Sequence, residues 1–572
     1  MPSGLRIRPC AIVLLVAVAT AAACTTGPIA RSAERSITLL TINDVYRIEG
    51  LDGGQLGGLA RLRTLRADLE AAAPGRVLLL HAGDVIFPSL LSRVYKGRQM
   101  IDVLNLMDGD ATPGRIDARM FAVFGNHEFD DKACGGASPL QQRVAESDFV
   151  WLHGNVAFTA CPDGQAALIA ANLAQARIAD VGGLRVGLFG LTIDSAHPGI
   201  KVVDPLAAAT ALTADLRRRG ADIVIAVTHL PAADDLRIYQ ALRERGLDLV
   251  VGGHDHEHMA LPADAPRIFK ADADAATAWV LTLTLAGDGR LRVAHALREL
   301  KDPIRPDAVV GARVATWLAN HEREFCAAAK RPAGCLAEPL ATAETAIVAE
   351  EEKIRAAETS LGNWVTDLMR ETFGACGAGA AFINAGSLRL NHDLSPRTVV
   401  TRRHVEELMP YPAPLHLVEL SADQLVRAVD NAVSRPGAGR WLQVSGLAFV
   451  HDPETRRVTK LYARPAAGRA PVDVLKSPAE RFRVVVNRYL TEGYEDGYVG
   501  ILPTVREALP CAASGADLKA LIYERLREQR TIAPRATWWT ASRTTRRSRP
   551  RSTSRRRRRA RGCAASSSGR RI

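Results

Sequence analysis

What this 572-residue chain most lacks is a long apolar run. Its most apolar stretch, 11–23, is too short for a helix that crosses a bilayer. No internal repeat is present, which excludes architectures built on a fixed period. Acidic residues are absent from Arg535 onward, where fourteen arginines fall. The net charge of +12 therefore belongs to the tail, and the rest of the chain is slightly acidic. That balance gives no ground for a specific nucleic-acid partner. Residues 531–572 are rich in Arg, Ser and Thr and lack hydrophobic periodicity, and such a segment is expected to be disordered. Three readings of the tail stay open. It is an anchor to lipopolysaccharide, anionic lipid or nucleic acid, a tail with no folded role, or a displaced reading frame.

The N-terminus reads as an export signal over residues 1–23. Arg6 and Arg8 precede the apolar run, which ends in Ala21-Ala22-Ala23 and then Cys24. Cysteine after small residues is similar to a bacterial lipobox, with Cys24 lipidated as the first mature residue. Ordinary cleavage after an Ala-x-Ala site is the alternative. Thr25 and Thr26 carry no acidic retention signal, so the periplasmic face of the outer membrane is the expected address. With Cys10 and Cys24 set aside, seven cysteines remain. An oxidising compartment favours pairing Cys134 with Cys161, Cys326 with Cys335, and Cys376 with Cys511, leaving Cys563. Free buried thiols remain the alternative, since spacing does not fix connectivity.

The length predicts two large domains, and 47% hydrophobic residues fit a soluble globular protein. Strands are expected at 37–43, 76–80, 121–124, 186–191, 223–228 and 247–251, alternating with helices such as 59–72 and 205–219. This is an α/β pattern, with loops gathered at one end of a parallel or mixed sheet. Residues 279–285 and 290–300 read as a closing hairpin. A helical bridge follows, then a second domain with a helix at 360–373 and strands at 381–384, 415–420 and 482–486. Nothing indicates an oligomeric state.

Five segments end those apolar runs with metal-ligand residue types. They are Asn43-Asp44, His81-Ala82-Gly83-Asp84, Gly125-Asn126-His127-Glu128-Phe129-Asp130, Thr228-His229 and Gly252-Gly253-His254-Asp255-His256. Asp44 and Asp84 offer carboxylates, Asn126 a neutral carbonyl oxygen, and His229, His254 and His256 imidazoles. Imidazole suits Zn, Mn, Co or Fe better than Mg or Ca. Any one of these residues has a bland reading as a cap or a surface polar group. Five at successive strand ends do not, and two divalent ions side by side are a known solution for phosphate-ester hydrolysis.

In this order the segments resemble the calcineurin-like metallophosphoesterase superfamily. The spacing of Gly125 to Asp130, with motifs of the second domain, is similar to the 5′-nucleotidase family over roughly residues 37–530. That resemblance implies a metallophosphoesterase β-sandwich flanked by helices (36–300), a linker helix (301–345) and a second α/β nucleotide-binding domain (346–530). It implies one metal on Asp44, Asp84 and His256, and another on Asp84, Asn126, His229 and His254, with Asp84 bridging. The ions would be Mn, Zn or Co. His127 becomes the catalytic histidine, oriented by Asp130, while a metal-bound hydroxide attacks phosphorus. In the second domain Asn384 and Arg389 would contact the base and the phosphate or ribose side. Tyr411 and Tyr489 would sandwich the base, and Asp496 would accept from the ribose hydroxyls.

Two residues depart from the family pattern. Tyr46 stands where the first motif usually has histidine, which removes a nitrogen donor, and Ala357 stands where an arginine is often found. The expected activity is an exported, metal-dependent hydrolysis of nucleotides. A thiosulfohydrolase-like sulfur-ester hydrolase and a weakened nucleotide-binding surface lipoprotein are the competing readings.

Overall fold

Period-two alternation sorts the apolar residues of the first strands onto two faces, and both faces are buried. In the computed structural model, which describes residues 34–534 apart from 137 and 493–495, the chain divides between Cys335 and Leu336 into two units. The signal segment, Cys24 and the tail from Arg535 lie outside the described residues. No helix among the described residues is long and apolar enough to cross a membrane.

The first unit holds two mixed sheets. One is seven-stranded and includes β1 (Arg35–Ile42), β2 (Val77–His81) and β3 (Asp117–Val123), which pair in parallel. The other is six-stranded and includes β4 (Leu184–Thr192), β5 (Ile223–His229), β6 (Leu249–Gly252) and β7 (Ile268–Lys270), also parallel. The two sheets meet through one set of alternating residues: Ile37, Leu39, Leu78 and Leu80 pack with Ile223, Ile225, Val227 and Leu249. The opposite set faces helices. Leu40, Ile42 and Leu79 pack under Leu59, Leu62 and Leu65 of α1 (Leu59–Ala72), while Val224, Ala226 and Val250 pack under Leu216 and Ile238. Strands covered on both faces explain the unbroken apolar runs in the sequence. Each large aliphatic side chain so buried contributes about 1.5–3 kcal/mol.

The expected hairpin forms from Thr277–Leu285 and Leu291–Glu299. The helix Ala308–Ala328 lies on the first unit. Val310 and Val314 enter its core, and Trp317 Nε1 and Arg313 both donate to the Asp102 carboxylate, at 2.7 and 2.6 Å.

In the second unit a four-stranded sheet runs in the order Leu415–Ser421, Arg481–Asn487, Ala380–Asn384, Leu442–Ser445. Leu361, Val365 and Leu368 of the helix Ser360–Thr372 cover one face, and Leu425, Ala428 and Val429 of Ala422–Val433 cover the other. Among the described residues three disulfides form, Cys134–Cys161, Cys326–Cys335 and Cys376–Cys511, the pairing expected from the sequence.

Candidate metal centre

Each of the five ligand segments sits where a strand of the first unit runs out, and strain is concentrated there. Asp44, Asp84, His254 and His256 all have positive φ, at 51°, 55°, 82° and 59°. Non-glycine residues seldom adopt that region, and they cluster where surrounding structure over-determines them. The supports can be named. Asn43 donates to Asp44 Oδ2 (2.8 Å) and bonds both backbone groups of Ala271. His254 N–H donates to the same Oδ2 at 2.9 Å. The Glu128 carboxylate accepts from the N–H groups of Asp84, Val85, Ile86 and Gly125, at 3.1, 2.5, 2.9 and 2.5 Å. Burial and the Asp84 charge push the Glu128 pKa up to about 7, against the Ile86, Gly125 and Val85 donors. Gly125 leaves the space that Asp84 Oδ1 fills, since a Cβ there would overlap it.

Asp44, Asp84 and His229 are fully buried and bring one ligand atom each within 4.8 Å of the others. His229 Nδ1 lies 2.8 Å from the Ala82 carbonyl, to which it can only donate. In the neutral ring the Nε2 lone pair then points at Asp84 Oδ2 (3.2 Å) and Asp44 Oδ1 (3.8 Å). A lone pair held against two carboxylates is repulsive unless a cation stands among them. Without a metal, that cation is a proton. Burial lowers the pKa of His229, but Asp84 and Asp44 outweigh it and raise it to about 9. Burial and the His229 charge hold neighbouring His254 down at about 4. Asn126 Oδ1 is buried and accepts no hydrogen bond from the described residues. A divalent cation among Asp44, Asp84 and His229 would satisfy all three, so these residues fit a metal.

Tyr46 enters this cluster. Its hydroxyl lies 2.9 Å from His256 Nε2, 3.0 Å from Asp84 Oδ2 and 3.3 Å from Asp44 Oδ1. It therefore stands among the three residues that the resemblance assigns to the first metal. His127 lies beside them. Its Nδ1 is 2.8 Å from Asp130 Oδ2, its Nε2 is 3.9 Å from Asp84 Oδ2, and its backbone N–H donates to Asp84 Oδ1 at 2.9 Å.

The second unit brings its expected residues together in part. Asn384 is 2% exposed, and its amide donates to Asp496 Oδ2 (2.8 Å) while accepting from Ser387 and Asn487. Burial raises the Asp496 pKa, against Asn384 and the nearby cations Arg440, Arg355 and Arg389. Tyr411 and Tyr489 are 64% and 39% exposed, which rules out core packing for either ring. Arg389 donates from Nε to the Gly386 carbonyl. The sequence reading missed Arg355, which pairs with Glu351 two residues before the Ala357 position. It also missed Glu128, although that residue lies inside a quoted motif. Gly362 in the helix Ser360–Thr372 has a packing reason, because a Cβ there would strike Gln443.

Comparison with known proteins agrees with this geometry. Calcineurin-like phosphoesterase matches residues 37–258, and the 5′-nucleotidase C-terminal domain matches residues 339–500. A rat (Rattus norvegicus) 5′-nucleotidase is 25% identical over 89% of this chain and 90% of its own length. The solved structure of a 5′-nucleotidase precursor from Thermus thermophilus superposes with a TM-score of 0.66 at 23% identity, covering 88% of this chain and 98% of that one. A sulfate thiohydrolase from the same organism gives 0.60 at 17% identity over 88% and 95%. The fold and the buried Asp/His cluster are those of a metallophosphoesterase, a hydrolase. The chain belongs to the 5′-nucleotidase family, with its phosphoesterase domain followed by its C-terminal domain.

Proposed function

We propose that this protein is an exported 5′-nucleotidase that releases phosphate from nucleoside 5′-monophosphates at a centre for two divalent metals. The observation that carries the reading is the convergence of Asp44, Asp84 and His229 with a repulsive arrangement that only a cation relieves. Asp44, Asp84 and His256 would hold one ion, and Asp84, Asn126, His229 and His254 the other. When bound, such ions supply Lewis acidity toward phosphoryl oxygens and acidify water. His127, held by Asp130, delivers a proton or positive charge to the reacting phosphate. In the second unit Arg355 and Arg389 supply cations for the anionic substrate. Asn384 orients Asp496 toward the ribose hydroxyls, and Tyr411 with Tyr489 takes the base. Three disulfides support an oxidising compartment, and lipidation at Cys24 would hold the protein at the membrane.

The exposed tyrosines separate nucleotides from sulfur esters as substrates. Stacking on an aromatic face contributes ~1–3 kcal/mol per base. Tyr411→Ala is therefore expected to raise KM for AMP by ~5- to 100-fold, with p-nitrophenyl phosphate hydrolysis unchanged. Metal-dependent phosphate release from AMP by chelator-stripped, Mn-reconstituted protein tests the reading as a whole. Full metal occupancy with turnover on a sulfur ester but not on AMP would replace it.

Tyr46 makes the two metal positions unequal in this reading, because a neutral phenol donates to a cation more weakly than imidazole does. Tyr46→His is expected to tighten Mn binding at the weaker position by ~10-fold or more. Titration calorimetry should then resolve two tight sites where the parent has one tight and one weak. Identical isotherms would show that Tyr46 does not set the difference.

A further inference from the structure

Behind the histidine ligands lies a buried cation that the metal chemistry does not use. Lys270, the last residue of β7, is 1% exposed. Lysine is almost never fully buried without partners, and these partners are specific. Its Nζ donates to the backbone carbonyls of Leu230 (2.5 Å) and Gly253 (2.8 Å). It also pairs with Asp235 (2.8 Å), which is fully buried, and with Asp255. Leu230 directly follows His229, and Gly253 directly precedes His254. One ammonium therefore grips the two loops that carry all three histidine ligands.

The surroundings are built for it. A Cβ on Gly252 would stand 2.8 Å from Asp235 Oδ2 and 2.9 Å from Lys270 Cε, so glycine makes the room. Trp279 Nε1 donates to the Lys270 backbone carbonyl at 2.6 Å, holding the main chain from which the side chain departs. Asp255, between His254 and His256, accepts from Ala232 N–H at 3.3 Å and adds a second tie between the loops. Burial works against the ammonium, but Asp235 and Asp255 more than offset it, and its pKa lies above the ordinary lysine range.

We propose that Lys270, with Asp235 and Asp255 as its counter-charges, is a positioning residue that sets the spacing of the His229 and His254–His256 loops and so the affinity of the metal centre. The proposal rests on the metal-centre reading above. Supports behind metal ligands typically contribute ~10–100-fold in affinity. A plain packing role predicts something else, because replacing a buried ion pair with apolar or neutral groups is often neutral for stability.

The test uses the whole protein, stripped by chelator, as parent, Lys270→Met and the charge-compensated Asp235→Asn/Lys270→Met. Mn²⁺ affinity is measured by calorimetry. Amide exchange over 229–232 and 253–256 is followed without metal, and Tm is recorded. Lys270→Met is expected to bind Mn²⁺ ~10–100-fold more weakly and to exchange faster in both loops. The double variant is expected to regain Tm while keeping both defects, because neither carbonyl regains a donor. A double variant with parental affinity and parental exchange would overturn the proposal. Failure of the parent itself to bind Mn²⁺ counts against the metal centre instead, and the exchange comparison then decides the role of Lys270 alone.

Discussion

Asp84→Asn is expected to reduce phosphate release from AMP by on the order of 10³-fold or more, about 4 kcal/mol of lost transition-state stabilisation. The size follows from how many groups meet at one carboxylate. Oδ2 lies 3.2 Å from His229 Nε2 and 3.0 Å from the Tyr46 hydroxyl, while Oδ1 accepts the His127 N–H. The amide removes a full negative charge from a place where burial makes charge effects large. It also turns one oxygen into a donor aimed at its neighbours. Metal binding should weaken together with activity, since in the proposed arrangement Asp84 is the ligand common to both ions. Mn stoichiometry after dialysis, measured beside turnover, checks this. Two retained ions with parental turnover would remove Asp84 from the centre.

Much of the first unit was legible because a strand buried on both faces leaves an unbroken apolar run, and a histidine at its end closes that run abruptly. Val77–His81 and Ile223–His229 show this directly. Periodicity could not say that β1 to β3 and β4 to β7 belong to different sheets, because alternation fixes the faces of a strand and not its neighbours. The β-sandwich came from family resemblance, and the fold agrees with it.

The supports were less legible than the ligands. Lys270 ends a three-residue strand with no motif around it, and its meaning appears only when the Leu230 and Gly253 carbonyls are brought to it. Glu128 sits inside a quoted motif, yet four backbone donors from two segments are invisible to spacing. The family spacing points to position 357, where this chain has alanine, so Arg355 carries no motif signal. Its charge acts on Asp496, lowering the pKa of that carboxyl against burial.

His127→Gln is expected to slow AMP hydrolysis by ~10²–10⁴-fold, and the choice of substrate decides what that loss means. Asp130 Oδ2 lies 2.8 Å from Nδ1 and, as a carboxylate, accepts from it. The second ring nitrogen is left 3.9 Å from Asp84 Oδ2, on the side of the ligand cluster. From there it can give a proton to a departing oxygen or only offer it a hydrogen bond. Glutamine keeps a donor but cannot surrender a proton. The ribose 5′-oxygen leaves as a strongly basic alkoxide and needs that proton, whereas p-nitrophenolate is weakly basic and does not. The loss should therefore be large on AMP and at least tenfold smaller on p-nitrophenyl phosphate. Equal losses on both would assign His127 to stabilising charge on the phosphoryl group, and no loss on either would place it outside the reaction. Asp130→Asn should reproduce the AMP-specific defect in weaker form, because it frees the ring orientation without removing the imidazole.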